Sequence, residues 1–555
     1  MTLREKIGQL FMPAAFINDT EAEIRKLEKL IREHHIGSLC FFHSRASAAT
    51  NFEGTKKIVH NENSFETLTR LVQRFQQVAK YPLLIAIDAE WGLAMRVENT
   101  PQYPYAITLG AIAEERSDLI YEVGKSIARD CRAAGIHWNL APCVDINSNP
   151  LNPVIGYRSF GEQKSKVIKK AIAFVKGTQS EGILTSIKHF PGHGDTGTDS
   201  HLELPLIDKP KNVLLENELR PFEKLIAEGA DSVMVGHLSI PALAGGKSIS
   251  SSLSPEIIKG VLRDEMGYNG VVISDALNMH AVAKNHPIKG ELEWLAFDAG
   301  NDILCFAEHV AEGIETILQK ASVAQIETSF KRVWGLKEKI NASWASENNS
   351  STGNEPSIET HPMPETDSSN ENDDPTAVST SGHGEVSELS SHFFRSLDLN
   401  RKLATESLTL LKGTPHGISE FKKSDFAGIA MKQPTDNHFF KTIQKEKDFP
   451  DFSSTDSSPN ETENILLALF PPQVKPSNRF GFSKEELIFI NELIAAENVV
   501  LYLFGNPYVL NLIEFNKAKA VIIAYQNFIP FQKVAAAHFL GTLEAQGKLP
   551  VRLAP

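Results

Sequence analysis

Residues 183–194, ILTSIKHFPGHG, pass from a strand-like run directly into a loop that carries charged and imidazole side chains. The run Ile183–His189 lacks the strict alternation of a half-exposed strand, which favours a parallel strand buried on both faces. The proline and glycines that follow it predict a loop at its carboxyl end. Similar runs recur at Ile36–Phe42, Leu83–Asp88, Ile136–Pro142, Ser232–His237, Val271–Asp275 and Asp302–Phe306.

Helix-like segments alternate with these runs, namely Thr20–His34, Ser117–Ala134, Gln163–Glu181, Leu214–Glu228 and Pro255–Asp264. About seven such units fit a (β/α)₈ TIM-type barrel better than an open doubly wound sheet. Several runs end in polar residues, Asp88, His189, His237 and Asp275. Barrel enzymes place their active sites at the carboxyl ends of the strands, so we expect a catalytic barrel domain over residues 1–341.

The composition changes over residues 342–391, which are rich in Ser, Thr, Asn, Glu, Asp and Pro. Such a stretch has almost nothing to bury and predicts a disordered linker or insertion. A second α/β pattern follows over residues 392–555, with strand candidates at Leu408–Leu411, Asn464–Phe470, Val499–Phe504 and Ala520–Tyr525. We expect a smaller α/β domain that supports the barrel or forms one wall of its substrate groove.

Charge and hydropathy exclude several classes of partner for this chain of 555 residues. A net charge of −13 argues against nucleic acid or an anionic membrane surface, which require a basic field. No apolar run is long enough to span a bilayer, so membrane insertion is not expected. The start, MTLREKIGQLF, lacks a signal-peptide pattern and predicts a cytoplasmic protein if it is native, or a periplasmic or secreted one if a leader was trimmed.

The four cysteines lack metal-type spacing, and each lies in an apolar stretch. We therefore expect Cys40, Cys131, Cys143 and Cys305 to be buried free thiols.

The segment KHFPGHGDTGTDSH (188–201) gathers histidines, aspartates and a lysine in one short loop. An ordinary polar surface loop without a catalytic or binding role would also account for this composition. A metal site is the sharper alternative, since His189, His193, Asp199 and His201 are all ligand types. Their spacing matches neither a helical HExxH motif nor the HxH pair of barrel metallohydrolases, so we expect no metal and no other cofactor.

Carboxylates and an arginine recur at other predicted strand ends and loops. Asp275 closes the run Val271–Asp275, where it could also cap a following helix. Asp88 closes Leu83–Asp88, and Arg158 lies in a loop rich in glycine and proline. Each residue alone is a weak signal.

Together these segments resemble glycoside hydrolase family 3, in its β-N-acetylglucosaminidase branch. The motifs are KHFPGHGDTGTDSH (188–201), ISDALNMHAV (273–282), NLAPCVDIN (139–147), NPVIGYRSFGE (152–162) and IDAEWGLAMR (87–96). The C-terminal part resembles the family's α/β sandwich through LFGNP (503–507) and GKLP (547–550). Ala-Glu-Trp-Gly replaces the Gln-Glu-Gly-Gly of many members, and the linker is unusually long.

The resemblance implies a retaining β-N-acetylhexosaminidase with Asp275 as nucleophile and His201, assisted by Asp199, as general acid/base. The residues that would hold the sugar in the first subsite are Asp88, Arg96, Arg158, Lys188 and His189. The implied substrate is a glycan or muropeptide with terminal β-linked N-acetylglucosamine, and the implied role is turnover of peptidoglycan fragments. The sequence does not indicate an oligomeric state.

A histidine in the acid/base position suits this chemistry. Its ordinary pKa of about 6.5 lies near neutral pH, and Asp199 could fix its tautomer. A neutral imidazole would not repel an anionic acceptor, so phosphorolysis is an alternative outcome at the same site. The other alternative is a metal-dependent barrel hydrolase that uses the 188–201 loop.

Overall fold

A computed structural model describes residues 1–48, 59–197, 204–348, 383–452, 463–496 and 498–553. The strands are β1 Phe11–Met12, β2 Ala14–Phe16, β3 Ser38–Phe42, β4 Leu84–Ile87, β5 Trp138–Asn139, β6 Leu184–Phe190, β7 Ser232–Val235, β8 Val271–Ser274, β9 Leu304–Cys305, β10 Thr409–Lys412, β11 Ala427–Met431, β12 Asp451–Phe452, β13 Asn464–Leu469, β14 Asn498–Leu503 and β15 Ala520–Ile523.

The helices of the first half are α1 Leu3–Gly8, α2 Glu21–His34, α3 Arg45–Ala48, α4 Ser64–Val78, α5 Ala106–Ala111, α6 Ser117–Ala133, α7 Lys164–Gln179, α8 Lys211–Glu216, α9 Arg220–Ala227, α10 His280–Ala283, α11 Glu291–Ala299, α12 Val310–Lys320 and α13 Val323–Asn348. Those of the second half are α14 His383–Ser407, α15 Pro415–Lys423, α16 His438–Gln444, α17 Lys484–Ala496 and α18 Ile529–Leu540. Residues Glu256–Glu265 form a π-helix.

The first sheet has seven parallel strands in the order β2-β3-β4-β5-β6-β7-β8. Strands β3, β4, β6, β7 and β8 are buried along almost their whole length, as expected for strands covered on both faces. Beyond β8, the Ser274 amide donates to the Ile303 carbonyl at 3.0 Å, and β9 pairs in parallel with β1. The predicted α/β class with a parallel sheet is therefore confirmed.

The second sheet has six strands in the order β10-β15-β14-β13-β11-β12, parallel except for β10 against β15. Successive residues of β13 and β14 pack into different apolar clusters, so both faces of this sheet are covered. Helix α18 packs into one cluster and α17 into the other. The first of these clusters also contains the core of the first sheet, so the two halves of the chain share apolar packing.

The sequence placed most elements correctly, and two of the errors have a proline as their cause. The predicted helix Leu214–Glu228 is wrong, because two helices, α8 and α9, replace it and Pro221 occupies the first turn of α9. The predicted strand Ile136–Pro142 shrinks to Trp138–Asn139, since Pro142 has no amide hydrogen to donate.

Some elements were not predicted at all. Strands β1 and β2 are short and separated by Pro13, and β11 and β12 were not predicted either. Helix α4 was omitted although its buried Leu68, Leu71, Val72 and Phe75 follow a helical spacing. The predicted linker 342–391 is helical at both ends, in α13 and α14, and its residues 349–382 lie outside the described ranges.

The four cysteines are free and buried, as predicted. Among the described helices, none combines the length and apolar character needed to cross a bilayer.

Candidate active site

A group of charged side chains lies at the carboxyl ends of β4 and β6. Asp88 follows β4, and Lys188 is the fifth residue of β6. The Lys188 ammonium lies 2.8 Å from Asp88 Oδ1, and the Arg96 guanidinium lies 2.9 Å from Asp88 Oδ2. Asp88 thus bridges two cations that come from different parts of the chain.

Glu90 extends this group to Arg158. Its carboxylate accepts two hydrogen bonds from the Arg158 guanidinium, at 2.9 Å and 2.7 Å, and lies 2.8 Å from the Lys188 ammonium. The side chains of Glu90 and Lys188 are only 7% and 2% exposed. We call Asp88, Glu90, Arg96, Arg158 and Lys188 the charged cluster.

The pKa values follow from burial and pairing. Burial alone would raise the pKa of Glu90, but the charges of Arg158 and Lys188 lower it to about 2. The pKa of Asp88 is likewise lowered, because Lys188 and Arg96 outweigh its burial. Burial would lower the pKa of Lys188, yet Asp88 and Glu90 raise it above its ordinary value. All of these groups are therefore charged at neutral pH.

His189 is held next to this cluster by Asp145. The buried Asp145 carboxylate lies 2.8 Å from His189 Nδ1 and accepts the His193 amide at 2.7 Å. An ionised carboxylate cannot donate, so Nδ1 carries the proton and Nε2 accepts from Arg158 at 3.2 Å. Asp145 therefore fixes both the orientation and the tautomer of His189.

The donor atoms of Cys143, Asp145 and His189 lie within 4.8 Å of one another, and this is the one group in the described residues that could hold a metal ion. Burial and the neighbouring Asp145 charge raise the pKa of the Cys143 thiol, which donates to that carboxylate at 3.1 Å. The arrangement fits a hydrogen-bonded triad, because the thiol keeps its proton and His189 donates rather than offers a lone pair. It shares only His189 with the loop residues considered as metal ligands above.

Asp275 lies directly after β8 and is half-buried. Hydrogen bonding to Cys40, burial and the charges of Asp88 and Asp275 all raise the pKa of the Cys305 thiol. The next helix begins at His280 with Met279 as its N-cap, so the alternative role of Asp275 as a helix cap is wrong.

The turn that carries Asp275 is supported by His237. The His237 Nε2 atom lies 3.0 Å from the Ala276 carbonyl oxygen and therefore donates to it, while Nδ1 lies 2.7 Å from the Ser252 hydroxyl. His237 is fully buried. It thus holds the backbone beside Asp275.

The structure brings together Asp88, Arg96, Arg158, Lys188 and His189 from the predicted set. The predicted pair His201 and Asp199 lies outside the described residues, and its role stays a prediction. The sequence analysis missed Glu90 and Asp145, although both lie inside motifs quoted above. A charge count could have indicated Glu90, because three predicted cations with one predicted carboxylate are costly to bury.

Trp91 is one of the positions where the sequence departs from the usual family pattern. It belongs to a group of three aromatic side chains. Its ring centre lies 5.0 Å from that of Tyr105 and 5.9 Å from that of Tyr157. These rings pack with an apolar cluster of the C-terminal half.

A family model, described as the glycosyl hydrolase family 3 N-terminal domain, matches residues 2–336. Beta-hexosaminidase A of Pseudoalteromonas piscicida is 32% identical over 351 residues, which are 58% of this chain and 56% of that protein. A beta-hexosaminidase of Xylella fastidiosa (strain M12) is 32% identical over 46% of this chain and 76% of its own. A solved family 3 β-N-acetylglucosaminidase from Paenibacillus sp. str. FPU-7 is 26% identical with a TM-score of 0.73, covering 100% of this chain and 99% of that one.

Proposed function

Because the chain belongs to glycosyl hydrolase family 3, we propose that it removes terminal β-linked N-acetylglucosamine from glycans as a retaining β-N-acetylhexosaminidase. The predicted resemblance to this family is confirmed by the match over residues 2–336, and the beta-hexosaminidases among its relatives support a glycosidase activity. The Pseudoalteromonas relative is matched over about half of its length. The activity of the whole chain is therefore part of the proposal.

We propose further that the first sheet is the predicted eight-stranded barrel and the second the centre of an α/β sandwich. The hydrogen bonds that lead from β8 through Ile303 to β9, and from β9 to β1, support closure of the barrel. Strands β1 and β2 are separated by Pro13 and together would form one strand of the ring.

The sugar is proposed to bind against the charged cluster. Asp88 is the hydroxyl acceptor, because an ionised carboxylate forms strong charge-assisted bonds with sugar hydroxyls. Arg158, Lys188 and His189 would face the remaining hydroxyls and the acetamide group, and Arg96 would hold Asp88.

Asp275 is the proposed nucleophile. It follows β8, while Asp88 follows β4 and Lys188 belongs to β6, so all three lie at the same end of one parallel sheet. The proposed acid/base is His201 with Asp199, carried over from the resemblance. A retaining mechanism needs these groups on opposite faces of the sugar ring.

One observation carries the proposal, namely the Lys188–Asp88–Arg96 array, with its buried Lys188, at the same end of the sheet as Asp275. Buried charges cost free energy unless they are paired, and groups with strongly perturbed pKa values cluster at functional sites. As the substrate in the cell we propose a muropeptide or related glycan, in the turnover of peptidoglycan fragments. The branch of the family supports this choice.

The test is release of p-nitrophenol from a panel of aryl β-glycosides. We expect the N-acetyl-β-glucosaminide to be cleaved with a kcat/KM at least about tenfold above that of the β-glucoside, because the acetamide adds polar contacts in the pocket. Proton NMR of the first product should show the β-anomer, as retention requires. No cleavage of any N-acetyl-β-hexosaminide, or an α-anomer first, would overturn the proposal.

Two additions to this assay separate the alternatives. Phosphate buffer would yield N-acetylglucosamine 1-phosphate if phosphate replaces water as the acceptor, and its absence would dismiss phosphorolysis. Dialysis against EDTA should leave kcat unchanged, since none of the proposed groups needs a metal. A loss of activity that Zn²⁺ restores would favour the metal-dependent alternative instead.

A further inference from the structure

The C-terminal half of the chain contacts the loops that carry the charged cluster. Trp91 follows Glu90 in the chain and Tyr157 precedes Arg158, and both aromatic residues pack with an apolar cluster of the C-terminal half that includes Tyr508 and Val551. This packing therefore fixes the residue next to Glu90 and the residue next to Arg158.

One of the polar contacts that link the two halves beside the site joins Asn147 to Tyr508. The Asn147 side-chain amide donates to the Tyr508 hydroxyl at 2.8 Å, and both residues are buried. Tyr508 is itself fixed, because its amide donates to Asn506 Oδ1 at 3.0 Å and the Asn506 amide group donates to the Val474 carbonyl at 2.9 Å. The hydroxyl thus reaches Asn147 from a segment that is itself held by hydrogen bonds within the C-terminal half.

Asn147 ends the short loop 143–147 that contains Asp145. This loop is bound at its start by a hydrogen bond from the Val144 amide to the Lys188 carbonyl, 2.8 Å long, and at its end by one from the Asn147 amide to the Gly161 carbonyl, 3.0 Å long. Between these points Asp145 holds His189 and the His193 amide. A shift of the loop would therefore move His189.

Asn147 cannot easily exchange Tyr508 for another partner. Its side-chain Oδ1 is already buried without a hydrogen bond among the described residues, and the residue is only 1% exposed. A buried amide that loses its acceptor keeps the desolvation penalty and gains nothing in return, so the loop would have to move to recover a partner.

We propose that Tyr508 is a positioning residue for the sugar pocket, whose hydroxyl holds Asn147 and thereby keeps Asp145 and His189 in the geometry that binds the sugar. The inference rests on the proposed function, because it assigns the C-terminal half a part in the same site. The C-terminal half would then help to position the residues of the sugar pocket in addition to packing against the barrel.

The experiment compares two tyrosine-to-phenylalanine variants. Tyr508→Phe removes the hydroxyl that reaches Asn147. Tyr525→Phe is the matched control, since the Tyr525 hydroxyl is equally buried but lies 2.9 Å from the Thr409 hydroxyl, within the C-terminal half. Both variants should lose a similar amount of thermal stability. We expect kcat/KM on the aryl N-acetyl-β-glucosaminide to fall about tenfold in Tyr508→Phe and less than about twofold in Tyr525→Phe, because small displacements of positioning groups are costly.

A double variant tests the route. If Tyr508 acts through Asn147, adding Tyr508→Phe to Asn147→Ala should lower kcat/KM by less than about twofold more, since the shared contact is already gone. Equal and independent losses would overturn the proposed route.

A second readout does not depend on the substrate. Cys143 lies in the loop and reacts with iodoacetamide only when the loop opens, because its thiol is buried. Mass spectrometry should show faster alkylation of Cys143 in Tyr508→Phe than in Tyr525→Phe, with Cys131 of helix α6 as the internal reference.

The outcomes separate the two proposals. If the wild type is active and both variants keep the same kcat/KM, the inference is overturned and the proposed function stands. If the wild type cleaves no aryl glycoside, the proposed function fails, and the Cys143 rate alone decides whether Tyr508 holds the loop.

Discussion

The two parallel sheets of this chain end very differently. At the carboxyl end of the first, β4 and β8 are followed by Asp88 and Asp275, and β6 carries Lys188. At the corresponding end of the second, the central strands β13 and β14 are followed by Phe470 and Phe504, whose rings stack with centres 4.6 Å apart.

The difference shows which of the two strand ends contains side chains that do not maximise stability. An aromatic pair at a strand end adds apolar burial and needs no polar partner. A buried carboxylate between two cations is seldom the most stable filling of its space, because desolvation offsets much of the attraction. The aromatic residues at the end of the second sheet thus favour stability. The charged residues at the end of the first sheet are available for binding or catalysis.

The largest expected effect comes from removing the proposed nucleophile. Asp275→Asn conserves shape but cannot form the glycosyl intermediate, so kcat should fall roughly 10³-fold or more. Steady-state kinetics on the aryl N-acetyl-β-glucosaminide measure this. Asp298→Asn, on the outer helix α11, is the control and should keep wild-type kcat. A loss of less than tenfold in Asp275→Asn would place the nucleophile elsewhere.

The next largest effect is expected at Asp88, the proposed hydrogen-bond acceptor for the sugar hydroxyls. Asp88→Asn should lower kcat/KM about a hundredfold, because charge-assisted bonds to hydroxyls are worth about 1.5–3 kcal/mol each. Inhibition by free N-acetylglucosamine should weaken in parallel, which its inhibition constant would reveal. An unchanged inhibition constant would mean that Asp88 only neutralises Lys188 and Arg96 and does not touch the sugar.

A smaller effect is expected at Glu90, which holds Lys188 and Arg158 in place. Glu90→Gln should lower kcat/KM about tenfold through misplaced cations. Since the pKa of Glu90 is about 2, it stays ionised over the working pH range, and the substitution should not shift either limb of the pH–rate profile. A displaced acid limb would show that Glu90 itself titrates in the reaction.

The same variant has a signature in stability. The folded-state pKa of Glu90 lies below its ordinary value of 4.5, so its pairing stabilises the fold fully above pH 4.5 and less as the pH falls toward 2. The gap in unfolding free energy between wild type and Glu90→Gln should be constant from pH 7 to pH 5 and close below pH 4.5. Urea midpoints across this range measure the gap, and a gap that widens on acidification would contradict the pairing.

The smallest effect on activity is expected at the second sheet. Phe470→Leu should lower the free energy of unfolding by about 1 kcal/mol while kcat/KM stays within about twofold, because losing the ring that stacks on Phe504 affects an apolar core and no charged group. Urea unfolding and kinetics on the same sample test this. A loss of activity comparable with that of Glu90→Gln would remove the contrast between the two sheet ends.

Much of this could be predicted from local sequence. Apolar runs and proline or glycine signals located most of the strands of both sheets, and the motifs identified the family and five residues that the structure brings together. The errors arose where local signals are weak, as for the short strands around Pro13, or where one proline divides a periodic stretch, as Pro221 does. Glu90 and Asp145 were missed because their importance lies in their partners, which periodicity does not reveal.

The sequence by itself determined the order of strands and helices, the family and the residue types at the strand ends, because these depend on neighbours along the chain. Only the tertiary structure decided which charges meet. The bond between Lys188 and Asp88 joins residues 100 positions apart, and the bond between Asn147 and Tyr508 joins residues 361 positions apart. Such pairings follow from sheet order and from the packing of one half of the chain against the other, and no local pattern encodes them.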